Sequence, residues 1–341
     1  MARKKALNTM NGKIKKVKAL GLCSGGLDST LAGVVLRRQG VEVVWVSFET
    51  PFFSAEKARR ASGATGIPLI VKDITGRYLP MLKNPPAGIG RYANPCMDCH
   101  ALMFRIAGEM MAEAGADFLF SGEVMGQRPM SQTKSSLRYV EKHSGFGGRI
   151  LRPLSAKRLP ETEMEKTAMV DREKLFDFTG RSRKPQIRLA RELGIVDYPA
   201  PAGGCLLTDP NYSRRVKDLL GHEESPERED FELLKYGRHI RLSPESKLVV
   251  GRNMADNNSI AALYRPDRDI RIIMPGIPGP VGLMPGGASE DMGAIGAAIC
   301  AGYSRTTPGE PVKVQITAPS GISFLNVIPE KAQSAGRLKI L

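Results

Sequence analysis

Long apolar runs are missing from this sequence. No stretch of its 341 residues approaches eighteen consecutive apolar positions, so no membrane-spanning helix is expected. The basic N-terminus is not followed by the apolar core of a secretory signal, and the expected location is cytoplasmic. Cysteine is scarce and odd in number, five in all. That is no disulfide framework, and in a reducing compartment such thiols serve metal, redox or catalytic chemistry, or fill the core. Acid is also short: 50 Lys and Arg stand against 35 Asp and Glu, a net charge of +15. Two nucleotide-binding signatures are absent as well. There is no G-x-x-x-x-G-K-[ST], and no G-x-G-x-x-G at the first strand–helix turn, which excludes a Walker loop and argues against a dinucleotide fold.

What is present suits a folded chain of one large or two ordinary domains, with 42% hydrophobic and 25% charged residues. The positive field favours a polyanionic partner, nucleic acid first. Arg3, Lys4, Lys5, Lys13, Lys15, Lys16 and Lys18 lie in an N-terminal segment without acid, expected to be a flexible arm. Further basic clusters are Arg181, Arg183, Lys184, Arg188 and Arg191, and then Arg214, Arg215 and Lys217.

Apolar runs at 17–23, 41–48, 67–74, 116–123 and 149–154 read as strands. Helical spacing lies between them at 27–39, 54–65 and 99–114, while 79–97, rich in Pro and Gly, reads as loop. Strands alternating with helices predict an α/β fold with a doubly wound, mostly parallel sheet. The pattern changes near residue 220. Short strands at 248–251, 269–276, 312–317 and 323–328, with a small-residue helix near 290–302, predict a smaller α+β domain. The expected division is a basic arm at 1–16, a nucleotide domain at 17–220, a polar linker at 221–244 and a second domain at 245–341.

The sharpest motif is Ser24-Gly25-Gly26-Leu27-Asp28-Ser29, between a strand and a helix. Adjacent glycines let backbone N–H groups approach an anion. The helix N-terminus adds partial positive charge and open donors. Ser24 and Ser29 offer hydroxyls, and Asp28 could hold Mg²⁺ or order the loop. The run resembles the PP-loop of the ATP pyrophosphatases, which implies ATP cleaved between its α and β phosphates and a substrate that is adenylated.

Cys96-Met97-Asp98-Cys99 is followed by His100 at the start of a helix, where a thiolate is expected to gain from the helix dipole. Cys205 follows a turn, Ala202-Gly203-Gly204. Cys23 and Cys300 read as core. Three readings compete for Cys96, Cys99 and Cys205. They could ligate a 4Fe–4S cluster with one iron left open. Cys99 and Cys205 could act as a persulfide-bearing and resolving pair. They could hold a structural zinc with His100, although adjacent ligands seldom share one ion.

Asn94-Pro95-Cys96-Met97-Asp98-Cys99 resembles the NP-x-x-x-C segment of the tRNA 2-thiouridine synthases. That resemblance implies a first catalytic cysteine at Cys99 and a second at Cys205. Those enzymes usually have Asp where this chain has Cys96, which points towards the cluster-containing thiolases. Ser121-Gly122-Glu123-Val124-Met125-Gly126-Gln127 with Ser131-Gln132-Thr133 is similar to the TGE-x-x-GQ…SQT run of the tRNA 4-thiouridine synthetases. It implies nucleotide contacts from Gly122, Glu123 and Gln127. Neither the THUMP domain nor the rhodanese domain of those enzymes is recognisable. The segments 249–263 and 274–280 resemble the NFACT-R-type domain, which implies RNA binding there. Charge alone says little of it, since thirteen basic and ten acidic residues lie from Asp230 onward.

The function implied is that of an ATP-dependent tRNA thiolase: a PP-loop enzyme that adenylates a uridine carbonyl and replaces its oxygen with sulfur. ATP and Mg²⁺ would be bound at Ser24, Gly25, Gly26, Asp28 and Ser29, with Asp28, Cys99 and Cys205 catalytic. The expected partners are tRNA, a sulfur donor (sulfide or a persulfide carrier) and a second copy in a homodimer, with no membrane. The rivals are a PP-loop ligase or amidotransferase acting on a small molecule, and an RNA-binding protein with a vestigial ATP site.

Overall fold

The first strand of the nucleotide domain, β1 (Lys18–Leu22), has Ala19 and Leu20 fully buried and lies at the centre of a five-stranded sheet. The computed structural model describes residues 9–10, 13–14, 16–200, 204–307, 309–330 and 338–340. Most of the basic arm, and Ala202–Gly203 before Cys205, lie outside the described residues. The chain divides into two compact units, Met1–Cys205 and Leu206–Leu341.

In the first unit the strands are β1, β2 (Glu42–Glu49), β3 (Leu69–Asp73), β4 (Phe118–Ser121) and β5 (Ile150–Leu151). Their spatial order is β3-β2-β1-β4-β5, and every pairing is parallel. A parallel sheet covered by helices needs apolar side chains on both faces, which is why these strands read as apolar runs and not as alternations. Helix α1 (Leu27–Arg38) follows β1, and α2 (Glu56–Thr65) follows β2. Trp45 of β2 is wholly buried, with Gly33 of α1 packed against its ring. The order reverses between β1 and β4. The crevice at their carboxyl ends is the place where ligands bind in open α/β sheets. Both sequence motifs, at 24–29 and 121–127, open there.

Two local expectations need correction. The segment read as loop from 79 begins inside a helix, α3 (Thr75–Lys83), which includes Pro80. In so short a helix the missing N–H costs a single internal bond. The next helix, α4 (Cys96–Glu109), begins at Cys96, so both cysteines of the CxxC lie in its first turn.

The second unit begins earlier than its composition suggests. Helices α5 (Lys134–Ser144) and α6 (Lys184–Glu192) belong to the first unit, but α7 (Pro210–His222) already belongs to the second. The stretch 221–244 contains helix α8 (Arg228–Leu233) and strand β6 (Arg238–Arg241), and is not an open linker. Asp230 is buried and used internally: it caps α8 through Glu227 N and pairs with Arg265 at 2.6 Å. The remaining elements are β7 (Lys247–Val250), α9 (Met254–Ala262), β8 (Ile270–Ile273), β9 (Gly282–Met284), α10 (Glu290–Ala301), β10 (Val312–Ala318), β11 (Gly321–Val327) and β12 (Leu338–Ile340). They form a seven-stranded antiparallel sheet in the order β11-β10-β8-β9-β7-β6-β12. Ile299 and Cys300 of α10 pack on Ile272 and Val314, so Cys300 is core as expected. No helix among the described residues is long and apolar enough to cross a membrane.

Candidate active site

The loop after β1 is built for close approach. Gly25 has φ +70°, a left-handed conformation, and a Cβ there would overlap the backbone of Lys57 and Ala58. Gly122, in the segment after β4, is equally tight against the backbone of Asp28 and Ser29. Gly26 takes the N-cap position of α1 and no side chain caps it, so the first N–H groups of the helix are available to an anion. Ser29, expected from the sequence to offer its hydroxyl to phosphate, is buried and donates to Gly26 O at 2.9 Å. Its hydroxyl braces the loop from within. Cys23 lies beneath: its sulfur accepts from Gly25 N at 3.4 Å, and burial pushes its thiol up to about 11. It is core, as the sequence suggested. Replacing Gly25 by alanine imposes both the strained φ and the overlap, about 1–3 kcal/mol. Gly25→Ala is therefore expected to weaken ATP binding roughly tenfold or more. Titration of the full-length protein with ATP measures it, and an unchanged affinity would remove the loop as the phosphate site.

Asp28 connects the two motifs. Gln127 Nε2 donates to Asp28 Oδ2 at 2.8 Å, and Gln186 Nε2 of α6 donates to Gln127 Oε1 at 3.0 Å. Burial raises the Asp28 carboxyl, while Gln127 and the charges of Arg183 and Arg128 oppose that rise. Four polar atoms in this neighbourhood are buried without a hydrogen-bond partner: Asp28 Oδ1, Gln132 Oε1, Gln186 Oε1 and Arg183 Nε. Orphaned donors and acceptors of this kind are costly unless something else meets them. Asp28 Oδ1, Gln132 Oε1 and Gln186 Oε1 are acceptors suited to a cation or a donor, and Arg183 Nε is a donor suited to an anion. Gln186 and Arg183 were not singled out individually from sequence. Only the basic character of 181–191 pointed there.

The three cysteines of the second motif meet in this same unit. Cys99 is buried, and its thiol is pushed far above the ordinary range by burial first, then by the charge of Cys205 and, more weakly, of Cys96 and Asp98. The hydroxyl of Tyr78, itself buried on α3, hydrogen-bonds Cys99 and works in the opposite direction. Burial among other thiols thus opposes the dipole stabilisation of a Cys99 thiolate that its first-turn position suggests. Cys96 is half-buried and its sulfur accepts from Asn94 Nδ2 at 3.2 Å. Asp98 is a buried anchor, accepting from Tyr139 at 2.7 Å and from Ala87 N at 2.8 Å. Among the described residues no disulfide forms, and no three His, Cys, Asp or Glu side chains are placed to hold a metal ion.

Glu123, expected among the nucleotide contacts, has its carboxylate taken up internally. His100 Nδ1 lies 2.8 Å from Oε1, while Arg152 Nε donates to Oε2 at 2.9 Å and Ser121 Oγ to Oε2 at 3.0 Å. Arg152 also pairs with Glu141 of α5. Burial alone would raise the Glu123 carboxyl, but Arg152 and His100 prevail and hold it down at about 2. This hub ties α4, through His100 beside Cys99, to the segment after β4 that also carries Gln127. His100, a possible zinc ligand from the sequence, meets Glu123 through Nδ1 and keeps Nε2 for another partner. Of the basic clusters, Arg181, Lys184, Arg188 and Arg191 are exposed on or beside α6. Arg215 in the second unit is used internally, donating to Leu234 O and Gly237 O.

Comparison with known proteins agrees with these features. Residues 237–337 match the family described as the NFACT protein RNA binding domain. A tRNA-specific 2-thiouridylase of Thermoanaerobacter sp. is 27% identical over 231 residues, covering 61% of this chain and 60% of that protein. A tRNA-specific 2-thiouridylase of Brucella suis is 28% identical over 156 residues, 40% of this chain and 39% of that one. The chain therefore spans at most about three fifths of the length of these relatives. A solved 4-thiouridine synthetase–RNA complex with bound ATP is 24% identical, covers 52% of each chain and has a TM-score of 0.34. The chain is thus similar to the tRNA-specific 2-thiouridylases over 61% of its length, and to the NFACT protein RNA binding domain over residues 237–337.

Proposed function

We propose that the protein is an ATP-dependent tRNA sulfurtransferase. One observation carries the reading: the segment 123–127 is bonded at one end to the cysteine helix and at the other to the phosphate loop. Asp28 is bonded to Gln127. Glu123, four positions before Gln127, is bonded to His100, and His100 is the neighbour of Cys99. These bonds support an ATP site and a sulfur site that share one segment, the arrangement needed to activate a base and attack it in one pocket.

The N–H groups at the start of α1 would receive the phosphates, with Asp28 Oδ1 holding Mg²⁺. A uridine carbonyl oxygen attacks the α-phosphorus, and pyrophosphate leaves. In the thiol route, the Cys99 thiol takes a terminal sulfur from a persulfide carrier, whose own thiol leaves, and Cys99 then bears the persulfide. That sulfur attacks the activated carbon, AMP leaves with the oxygen, and the base is joined to Cys99 through two sulfurs. The Cys205 thiolate then attacks the Cys99 sulfur, which releases the thiocarbonyl and forms a Cys99–Cys205 disulfide. An external dithiol reduces that disulfide.

Cys96, Cys99 and Cys205 also have the donor chemistry for a 4Fe–4S cluster, whose open iron would supply a bound sulfide. Cluster loading is read from iron and acid-labile sulfide in anaerobically purified protein. The exposed basic residues around α6 would hold the RNA phosphates without reading sequence.

The test is the dependence of pyrophosphate release on RNA. Purified protein with ATP and unmodified tRNA is expected to release pyrophosphate and AMP well above its rate without tRNA. Turnover indifferent to tRNA contradicts the reading and favours a small-molecule ligase. RNA binding without any pyrophosphate favours a vestigial ATP site.

A further inference from the structure

The second unit presents a surface that the proposed reaction does not use. One face of its sheet is covered by α10. The other is covered only in part, where Val249 of β7 and Leu283 of β9 pack with Ile260 of α9 and Leu233 of α8. Over β10 and β11 that second face lies open among the described residues, while on β8 the half-buried Arg271 lies against Tyr264. Pairing of Arg271 with Thr317, of Gln315 with Phe324, and of Thr317 with Ile322 places these residues on the same side. Lys313, two positions before Gln315 on β10, shares it. Their neighbours in sequence, Ile272, Val314 and Ile316, point to the core.

The composition of this face is specific. Ile322 is 63% exposed and Phe324 53% exposed, side by side on the edge strand β11. Apolar side chains grouped on an open sheet edge usually meet a partner. The Lys313 ammonium stands 4.7 Å from the Phe324 ring centroid, and the Arg271 guanidinium 5.1 Å from that of Tyr264. Arg271 Nε is buried and has no hydrogen-bond partner. Both charged residues on the open face are basic, and no carboxylate shares it on β8, β10 or β11.

We propose that this open face binds unpaired RNA, with bases stacking on Phe324 and against Ile322 and phosphates meeting Lys313 and Arg271. A flat sheet with an exposed ring and interspersed cations suits splayed bases, each of which offers a π-face. A duplex keeps its bases stacked on each other and offers a sheet only its backbone. A strand added to the edge by a second copy would use the backbone of β11 but gives no role to two cations over rings. The face lies within the segment matched to the NFACT protein RNA binding domain, and the assignment names where in that segment the RNA is met. It rests on the proposed function only in taking RNA as the partner, and it is measured without turnover.

The experiment is fluorescence anisotropy of the full chain with a labelled single-stranded RNA of about twelve nucleotides, and with the same sequence as a duplex. The parent protein is expected to prefer the single strand. Phe324→Ala should weaken that binding by roughly ten- to a hundredfold, and Phe324→Trp should retain it. Lys313→Ala should lower the salt slope by about one. Because Phe324 is exposed, thermal midpoints should be unaffected. Single-strand affinity unchanged in Phe324→Ala, or lost equally in Phe324→Trp, overturns the assignment. Unchanged RNA affinity with a dimer that dissociates in Phe324→Ala, seen by sedimentation, also overturns it and gives the face to a second copy. If pyrophosphate release ignores tRNA while Phe324 still governs oligonucleotide binding, the thiolation reading fails and the sheet-face assignment stands.

Discussion

Replacing Cys99 by alanine is expected to reduce thionucleoside formation by purified protein to background, a fall on the order of a thousandfold or more. Folding and ATP binding should survive. The substitution removes one small buried side chain, a loss of about 1–2 kcal/mol. In the thiol route Cys205→Ala is inactive too, because the base would remain joined to Cys99 through the unresolved sulfur bond. Cys23→Ala and Cys300→Ala are the contrasts. Both thiols are buried, with burial raising each of them, and neither has a role in the proposed chemistry. Liquid chromatography and mass spectrometry of digested tRNA after reaction measure all four variants. Activity in Cys99→Ala would contradict the assignment.

The second large effect falls on stability. Arg152 is fully buried and joins Glu123 and Glu141, so Arg152→Met leaves carboxylates without their cation. Breaking a buried pair from one side costs about 3–5 kcal/mol. For a unit of this size that is a fall in the thermal midpoint of about 10 °C. The pH dependence should change with it. The Glu123 carboxyl is held at about 2, below the ordinary value of 4.5. A carboxylate depressed in the folded state contributes stability that is present above about 4.5 and is lost as pH falls towards 2. Without Arg152 that contribution shrinks, so the deficit of the variant should be largest above about pH 4.5 and narrow as pH falls towards 2. Because His100 shares Glu123 and lies next to Cys99, sulfur transfer should weaken together with stability. Calorimetry across pH 3–8 tests this, and an unshifted midpoint would show that the hub is not structural.

What was legible in the sequence was what is local. Ser24–Ser29 announced itself because a strand, two glycines and a helix start are contiguous, and the sheet places that loop at the switch in strand order. The CxxC was legible for the same reason. Partnerships between distant segments were not. Glu123 looks like a ligand contact until Arg152, 29 positions on, takes its carboxylate. Gln186 lies 59 positions from the Gln127 it supports. Ser29 carries the right group in the right motif, yet its hydroxyl is turned inward, a choice made by local backbone geometry and invisible in composition. Composition also misled at 221–244, where charge suggested a linker although Asp230 and Phe231 are buried in the second unit. Charged residues mark a solvated stretch only while their partners are unknown. Asp230 and Arg265 are 35 positions apart, and only the fold shows that they are paired.

The most direct test of the central claim is mass spectrometry of nucleosides from total tRNA. It compares a strain lacking this protein with its parent, and with the same strain carrying either the intact protein or Cys99→Ala. One thionucleoside is expected to disappear on deletion, return with the intact protein and stay absent with Cys99→Ala. A thionucleoside profile identical in all four strains, where no second enzyme makes the same product, would contradict the central claim.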